Sequence, residues 1–327
     1  MAFLVEQLQP RLIRQFENVL THQRLAQGYL FAGASGTGKR ELAQWLALSQ
    51  FCLEPSATHQ PCGKCAECQR ILSGNHPDVI TVAPENQTIK IEAIRHLKNE
   101  LYKSGVEGTK RVFIIVSAEK MSVNASNSLL KFLEEPVSDA LIILTTTSKS
   151  QILPTIRSRM QMIDFHEISA PAAFENFKAQ GLMPANAQLM SLLTRDSQQA
   201  AAWQTDNNFK PLLQGVLHWF NKLFKGDPEA FVFVQTQLVQ NAKNQEQQSL
   251  TFQIIVNFYD FLLRLRYDKD KEIINPDLIK LNETSQQVTD RQLTEQLSLV
   301  LAVQKQLRVN VSFENVLEAL TLKLLAV

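Results

Sequence analysis

The sequence predicts an α/β half followed by an all-α half. The first is a parallel sheet with helices on both faces. Three observations predict this. Short apolar runs alternate with amphipathic helical stretches up to about residue 166. A glycine-rich G-x-x-x-x-G-K segment, Gly33 to Lys39, follows the first run and precedes a helical stretch. Beyond about residue 167 the strand signal stops and only helical periodicity continues.

The apolar runs are Tyr29–Ala32, Val79–Val82, Val112–Val116, Leu141–Thr146 and Met162–Phe165. Each is too short for a helix and is bounded by polar or turn residues, so each reads as a strand. Between them, Ile91, Ile94, Leu97 and Leu101 recur at spacings of three and four in the stretch 91–102. In 122–135, Ala125, Leu129, Phe132 and Leu133 form one face, and Pro136 stops the helix. Strands separated by helices of this length pair in parallel, because a parallel pair needs a long crossover.

In the second half Pro171 and Pro184 open short helices, and longer ones are expected near 210–224, 229–242, 247–267, 288–307 and 312–325. Within 247–267, Ile255, Phe258, Leu262 and Leu265 form an apolar stripe at helical spacing. Thr205–Asn208 and Asp268–Asn275 are polar and read as linkers. The Gln/Asn-rich piece Gln235–Gln248 carries interspersed apolar residues and reads as solvated helix surface. No internal repeat is evident.

Length and composition bound the function classes. A chain of 327 residues suggests two or three domains. Hydrophobic residues make up 45% and charged residues 20%, the balance of a globular protein. No apolar run is long enough to span a membrane. The opening MAFLVEQLQPRLIRQF lacks the pattern of a secretion signal, so a cytoplasmic location is expected. The formal net charge of +1 gives no nucleic-acid footprint at whole-chain level.

The glycine-rich segment has the composition of a phosphate loop. Gly33, Gly36 and Gly38 let backbone N–H groups curl around phosphates, the following helix N-terminus adds positive potential, and Lys39 adds a point charge. The next position should be a Ser or Thr whose hydroxyl binds magnesium, but it is Arg40. A guanidinium only donates hydrogen bonds and cannot ligate a cation. A turn without any ligand is the plainer alternative. The second requirement is an acidic pair at the end of the third strand. Those positions hold Val116 and Ser117, and Glu119 falls two or three residues late. Magnesium-dependent hydrolysis is therefore not expected, and passive nucleotide binding is left open.

The four cysteines, Cys52, Cys62, Cys65 and Cys68, give C-x9-C-x2-C-x2-C. In a reducing compartment such clustering points to a metal rather than to disulfides. Four thiolates make a closed tetrahedral zinc site with no open position, so a structural zinc is expected. The six histidines, His22, His59, His76, His96, His166 and His218, are dispersed without ligand spacing. His59 would enter the ligand set only in place of a cysteine.

Several segments together resemble bacterial clamp-loader subunits of DNA polymerase III, of the AAA+ class. Asn127 to Pro136 is similar to their N-x-L-L-K-x-L-E-E-P signature, and Leu153 to Arg159 to their L-P-T-I-x-S-R-C segment, with Met160 in place of the final cysteine. The cysteine cluster lies where these proteins carry theirs, and His22 to Leu25 before Tyr29 to Phe31 is also similar. The likeness is strong over about residues 1–166 and weak beyond. Motor subunits of that family, gamma and tau, keep the loop hydroxyl and the acidic pair. The delta-prime branch commonly lacks working versions, so Arg40, Val116 and Ser117 place the resemblance there.

The resemblance implies an AAA+ nucleotide-binding-like domain over 1–166 with a zinc-knuckle insertion at about 52–68. A small helical lid over 167–207 and a helical collar over 208–327 complete the chain. It implies a hetero-oligomeric ring with gamma or tau motor subunits and a delta subunit. That ring acts on the beta sliding clamp and primer–template DNA, and the chain itself is not an enzyme. Nucleotidyltransferase activity then belongs to the polymerase assembly. The resemblance further implies that Arg159 acts as an arginine finger on a neighbour's nucleotide, whereas a reading without the family has it end a helix or pair with an acid. Lys131, Glu134 and Glu135 read as structural or interfacial residues, and Gln199 falls near a motor subunit's nucleotide-sensing arginine. Two rival readings remain. An ATP-hydrolysing motor or stand-alone ATPase would have to hold magnesium without these ligands. A DNA-binding module would have to bind with almost no net charge.

Overall fold

Runs of β-branched and aromatic residues pair into one sheet in the computed structural model, which describes residues 3–85, 87–102, 110–134, 140–268, 272–304 and 312–327. The strands are β1 (Gly28–Ala32), β2 (Val79–Val82), β3 (Arg111–Ile115), β4 (Ala140–Thr146) and β5 (Gln161–Asp164). All pair in parallel in the order β2-β3-β4-β1-β5. This is the expected AAA+ phosphate-loop sheet, with strand ends within one residue of the apolar runs.

Parallel pairing requires crossovers, and all of this unit's helices except the first two, which precede β1, lie on them. In chain order the helices are α1 (Leu4–Leu8), α2 (Pro10–Thr21), α3 (Lys39–Phe51), α4 (Ala66–Leu72), α5 (Ile91–Tyr102), α6 (Val123–Glu134) and α7 (Pro154–Arg157). Central strands covered on both faces should be apolar throughout, and β1, β3 and β4 are buried at every position. Alternate residues serve opposite faces. Tyr29, Phe31, Val112, Ile114, Leu141 and Ile143 pack with α3 residues such as Trp45 and Leu46. Leu30, Phe113, Ile115, Ile142 and Leu144 pack with Ile94, Leu97, Leu129 and Phe132 of α5 and α6. Burial of each such side chain is worth about 1.5–3 kcal/mol. Most exposed positions of the edge strands are polar, Thr81, Gln161 and Asp164, with Met162 of β5 the apolar exception, a composition that discourages further strand addition. The side chain of Leu101, and the positions of Glu135 and Pro136, lie outside the described residues.

Two compact units divide the chain, Met1–Ile168 and Ser169–Val327. The second is helical among its described residues: α8 (Ala170–Ala179), α9 (Pro184–Leu193), α10 (Ser197–Thr205), α11 (Phe209–Phe224), α12 (Glu229–Phe233), α13 (Val239–Asn241), α14 (Gln245–Tyr267), α15 (Pro276–Ser285), α16 (Asp290–Gln304) and α17 (Phe313–Leu325). Its core is aromatic, with Phe220 against Trp219, Phe258 and Tyr259. Two polar groups inside this core are paired: Trp219 Nε1 donates to Thr321 Oγ1, and Tyr259 hydroxyl to Gln296 Oε1, both at 3.2 Å.

Three features of this unit differ from the sequence expectation. The single helix expected over 229–242 contains a π-helical turn at Val234–Leu238, with Val234 and Leu238 buried. Gly215 of α11 faces it, with Leu238 and Asn241 side chains about 3.4 Å from where a Cβ would stand. Helices α10 and α15 were not expected. The Gln188 side chain ties α9 to the segment before α15: its Oε1 accepts from Ile274 and Asn275 N–H at 2.9 and 3.0 Å. Among the described residues, no helix is long and apolar enough to cross a membrane.

Candidate functional site

The phosphate loop begins where β1 ends, at the carboxyl edge of the sheet, where ligands bind in open α/β folds. Gly33 N–H donates to Thr146 O of β4 at 3.2 Å. A Cβ on Gly33 would stand 2.8 Å from both the Cβ and the carbonyl oxygen of Phe165, so only glycine fits there. Gly36 and Gly38 have φ of +73° and +87°, the left-handed region that glycine enters without strain. Gly38 caps α3, and Val5 and Leu8 of α1 lie against it. Gln9, buried between α1 and α2, donates through Nε2 to Thr37 O and His166 O, both at 3.0 Å. The loop is thereby tied to the end of β5. Lys39 is 9% exposed and folds back onto its own loop. Its Nζ donates to Gly33 O at 2.8 Å, to Ala34 O at 2.5 Å and to Thr37 Oγ1 at 3.3 Å. An anion taking the lysine would have to replace these bonds. Arg40 is exposed on the first turn of α3.

Past β3, Val116 N–H still pairs with Val82 O, and Ser117 turns the chain with φ +54°. Glu119 sits in a 3₁₀ turn, Ala118–Lys120. Its Oε1 accepts from the Thr147 N–H at 3.2 Å and hydroxyl at 2.7 Å. Burial alone would raise its pKa. The hydrogen bonds, led by the Thr147 hydroxyl, outweigh burial and hold the carboxyl below its ordinary value.

Arg159 lies at the other end of the sheet. It follows α7 and borders a surface crevice with Gln27, Gly28 and Leu133, beside the start of β1. The loop begins after the end of that strand, about 13 Å away for four steps at about 3.3 Å each. The Arg159 side chain is 40% exposed and donates from Nη2 to Glu134 Oε1 at 2.9 Å and from Nη1 to Thr155 O at 3.0 Å. The expected site residues therefore form separate groups: Gly33, Gly36, Gly38 and Lys39 in one loop, Arg159 alone, and the cysteines elsewhere.

Cys52 ends α3, Cys65 caps α4 and Cys68 lies within α4, with Cys62 between them. The ligand atoms of all four lie within 4.8 Å of one another. Thiolates bound at about 2.3 Å around a tetrahedral ion stand about 3.8 Å apart, so the set is compatible with zinc. Gly63, with φ +69°, makes the turn. N–H groups of Lys64 and Cys65 donate to Cys62 Sγ at 3.5 and 3.2 Å, and their support lowers the Cys62 pKa to about 6. Burial pushes the Cys68 thiol well up. The knuckle is anchored to the sheet. Glu67 Oε2 lies 3.0 Å from His76 Nε2, and His76 Nδ1 accepts from Asp78 N–H at 3.1 Å. Since Nδ1 accepts, Nε2 carries the proton shared with Glu67. His59 is not among the clustered ligands.

A family profile described as DNA polymerase III, delta subunit, matches residues 8–169. The DNA polymerase III subunit delta-prime of Bacillus subtilis is 34% identical over 321 residues, 98% of this chain and 97% of that one. The chain belongs to the DNA polymerase III delta-prime family. The subunit tau of the same organism is 34% identical over 164 residues, 50% of this chain and 29% of its own length. Among solved structures, a DNA polymerase III gamma subunit-related protein of Thermotoga maritima aligns over 95% of this chain and 98% of its own. Its TM-score is 0.49 and its identity 18%.

In this delta-prime family member the structure adds residues that sequence patterns did not single out. Gln9 clasps the loop from outside its motif, and no local pattern marks it. Thr147 receives Glu119, which a serine- and threonine-rich strand end only hints at. Glu134, expected only as a structural or interfacial residue, proves to be the acid that meets Arg159, across 25 residues of sequence. Gln199, the expected counterpart of a sensing arginine, accepts the Thr194 hydroxyl at 2.7 Å through its side chain.

Proposed function

We propose that this chain is a non-hydrolysing delta-prime subunit of a cytoplasmic clamp loader. It helps to assemble a ring with gamma or tau motor subunits and a delta subunit, and supports loading of the beta clamp on primed DNA. In this reading residues 167–207 are the lid, 208–327 the collar that joins the ring, and the cysteines hold a structural zinc. The chain's own loop is silent. Arg40 replaces the magnesium-binding hydroxyl, Lys39 is engaged by loop carbonyls, and the nearest acid past β3 is bound to Thr147.

The observation that carries the reading is the placement of Arg159. It lies at the opposite end of β1 from the chain's own loop, on the surface, too far to serve that loop. A guanidinium exposed there suits a nucleotide held by a neighbour, where it would stabilise charge that grows on the transferring phosphoryl group. Its planar fork stays charged and can bridge two oxygens.

The test is ATP hydrolysis by a reconstituted mixture of this chain, its motor and delta subunits, clamp and primed DNA. Arg159→Ala is expected to cut the DNA-stimulated rate sharply with assembly intact, while Lys39→Ala leaves the rate unchanged. The reverse pattern would mean a live nucleotide site in this chain and would overturn the reading.

A further inference from the structure

Glu134 is the last described residue of α6, and its carboxylate accepts from Arg159 Nη2 at 2.9 Å. The other terminal nitrogen, Nη1, donates to Thr155 O of the same short helix that leads into Arg159, at 3.0 Å. The two bonds grip the guanidinium from different elements, and because the group is planar, two anchors fix its plane.

Ordinary stability does not account for Glu134. The ion pair is exposed, with side chains 40% and 46% accessible, and pairs of this kind contribute little to folding. What the pair does fix is a direction. Of the five N–H donors of a guanidinium, these two bonds engage two, and three are left for a further acceptor.

We infer that Glu134 is a positioning residue for Arg159. It holds the guanidinium in the orientation in which the phosphates of a nucleotide bound by a neighbouring subunit meet it. This rests on the trans role of Arg159 given above. Orienting the group before the nucleotide arrives removes the cost of ordering a flexible side chain in the transition state. The carboxylate acts through geometry, so an amide of the same shape, which keeps an acceptor oxygen, should largely replace it.

The experiment measures DNA-stimulated ATP hydrolysis by the reconstituted loader over a range of ATP, with Glu134→Ala, Glu134→Gln, Arg159→Ala and the Glu134→Ala/Arg159→Ala pair. Assembly is checked by gel filtration and Tm by calorimetry. Glu134→Ala is expected to lower kcat about five- to tenfold with KM for ATP within about twofold. Glu134→Gln should stay within about twofold of wild type, and the double variant should be no worse than Arg159→Ala alone. Three results would overturn the inference while leaving the trans role standing. These are wild-type rates for Glu134→Ala beside an impaired Arg159→Ala, faster rates for both Glu134 variants, or an equal loss from Glu134→Ala with and without Arg159. Wild-type rates for Arg159→Ala would remove the trans role itself, and this inference with it.

Discussion

Glu119 and Thr147 join the turn after β3 to the end of β4 through one carboxylate oxygen, which accepts the Thr147 hydroxyl at 2.7 Å and its N–H at 3.2 Å. The first acid after β3, the strand at whose end a phosphate-loop ATPase holds its magnesium carboxylates, is thus employed in pinning two strand ends. Because Thr146 O also accepts the Gly33 N–H, the same strand end carries the start of the phosphate loop.

That bond sets a pH dependence. The Glu119 carboxyl is held below its ordinary 4.5. A carboxyl depressed in the folded state stabilises the fold above its unfolded pKa, and that contribution is lost as pH falls through the folded value. Glu119→Gln keeps the shape and replaces a charge-assisted bond with a neutral one. It is expected to cost about 1 kcal/mol at pH 7, a fall in Tm of about 2–4 °C. Thermal scans should show the gap closing below pH 4.5. A gap that stays constant into acid would remove the electrostatic account.

Gly33 supplies a second prediction. A methyl group there would meet Phe165 at 2.8 Å, on a carbonyl oxygen as well as a side-chain carbon. The backbone cannot yield without moving β5, so Gly33→Ala should destabilise by about 1–3 kcal/mol through overpacking. Denaturant midpoints distinguish this from a nucleotide-dependent role for the glycine, in which Gly33→Ala would unfold like wild type.

The strands were legible because central parallel strands are continuous apolar runs, and β1, β3 and β4 are buried on both faces. Helices α5 and α6 were legible from their three- and four-residue spacing. Helix α10 was not, since Ser197–Thr205 buries only Ala200 and its main start signal is the Asp196 cap. Helix α15 did carry signals, an Asn275 cap and Pro276 at its first position, but the polar segment before it masked them. The π turn at Val234–Leu238 lies against Gly215 of α11, a tertiary contact that periodicity does not encode. In the candidate sites, the loop and knuckle were legible because their residues are close in sequence. The bonds of Gln9, Thr147 and Glu134 to distant partners were not.

The cysteine knuckle should bind one zinc per chain, measurable by elemental analysis, and Cys65→Ser should abolish it. Metal ligands must be thiolates, so binding releases protons and affinity falls as pH falls. Cys62, with a pKa of about 6, is already ionised at pH 7.5, whereas buried Cys68 must lose its proton to the incoming metal. Zinc titrations between pH 6 and pH 8 should show affinity rising with pH and proton release into the buffer. Flat affinity across that range would mean that the four thiols do not form the site. Trp45 and Ile71 bury α3 and α4 in the core without help from the metal, so the zinc-free chain should keep its sheet by circular dichroism.

The lysine of the loop offers the sharpest separation between a structural and a nucleotide-binding role. Lys39 Nζ donates to Gly33 O, Ala34 O and Thr37 Oγ1, bonds that hold the loop closed on itself. Lys39→Met keeps the apolar stem and removes the charged donor, so two carbonyls and a hydroxyl lose a partner. The expected cost is about 1–2 kcal/mol, seen as a lower Tm in the isolated chain. Saturating magnesium–ATP stabilises a protein that binds it by about 2.7 kcal/mol at a hundred times Kd. With the lysine engaged by its own loop and Arg40 in the magnesium-ligand position, wild type should show no such rise. A clear rise in wild type that disappears in Lys39→Met would show that nucleotide competes successfully for the lysine, and the loop would then be a passive nucleotide site.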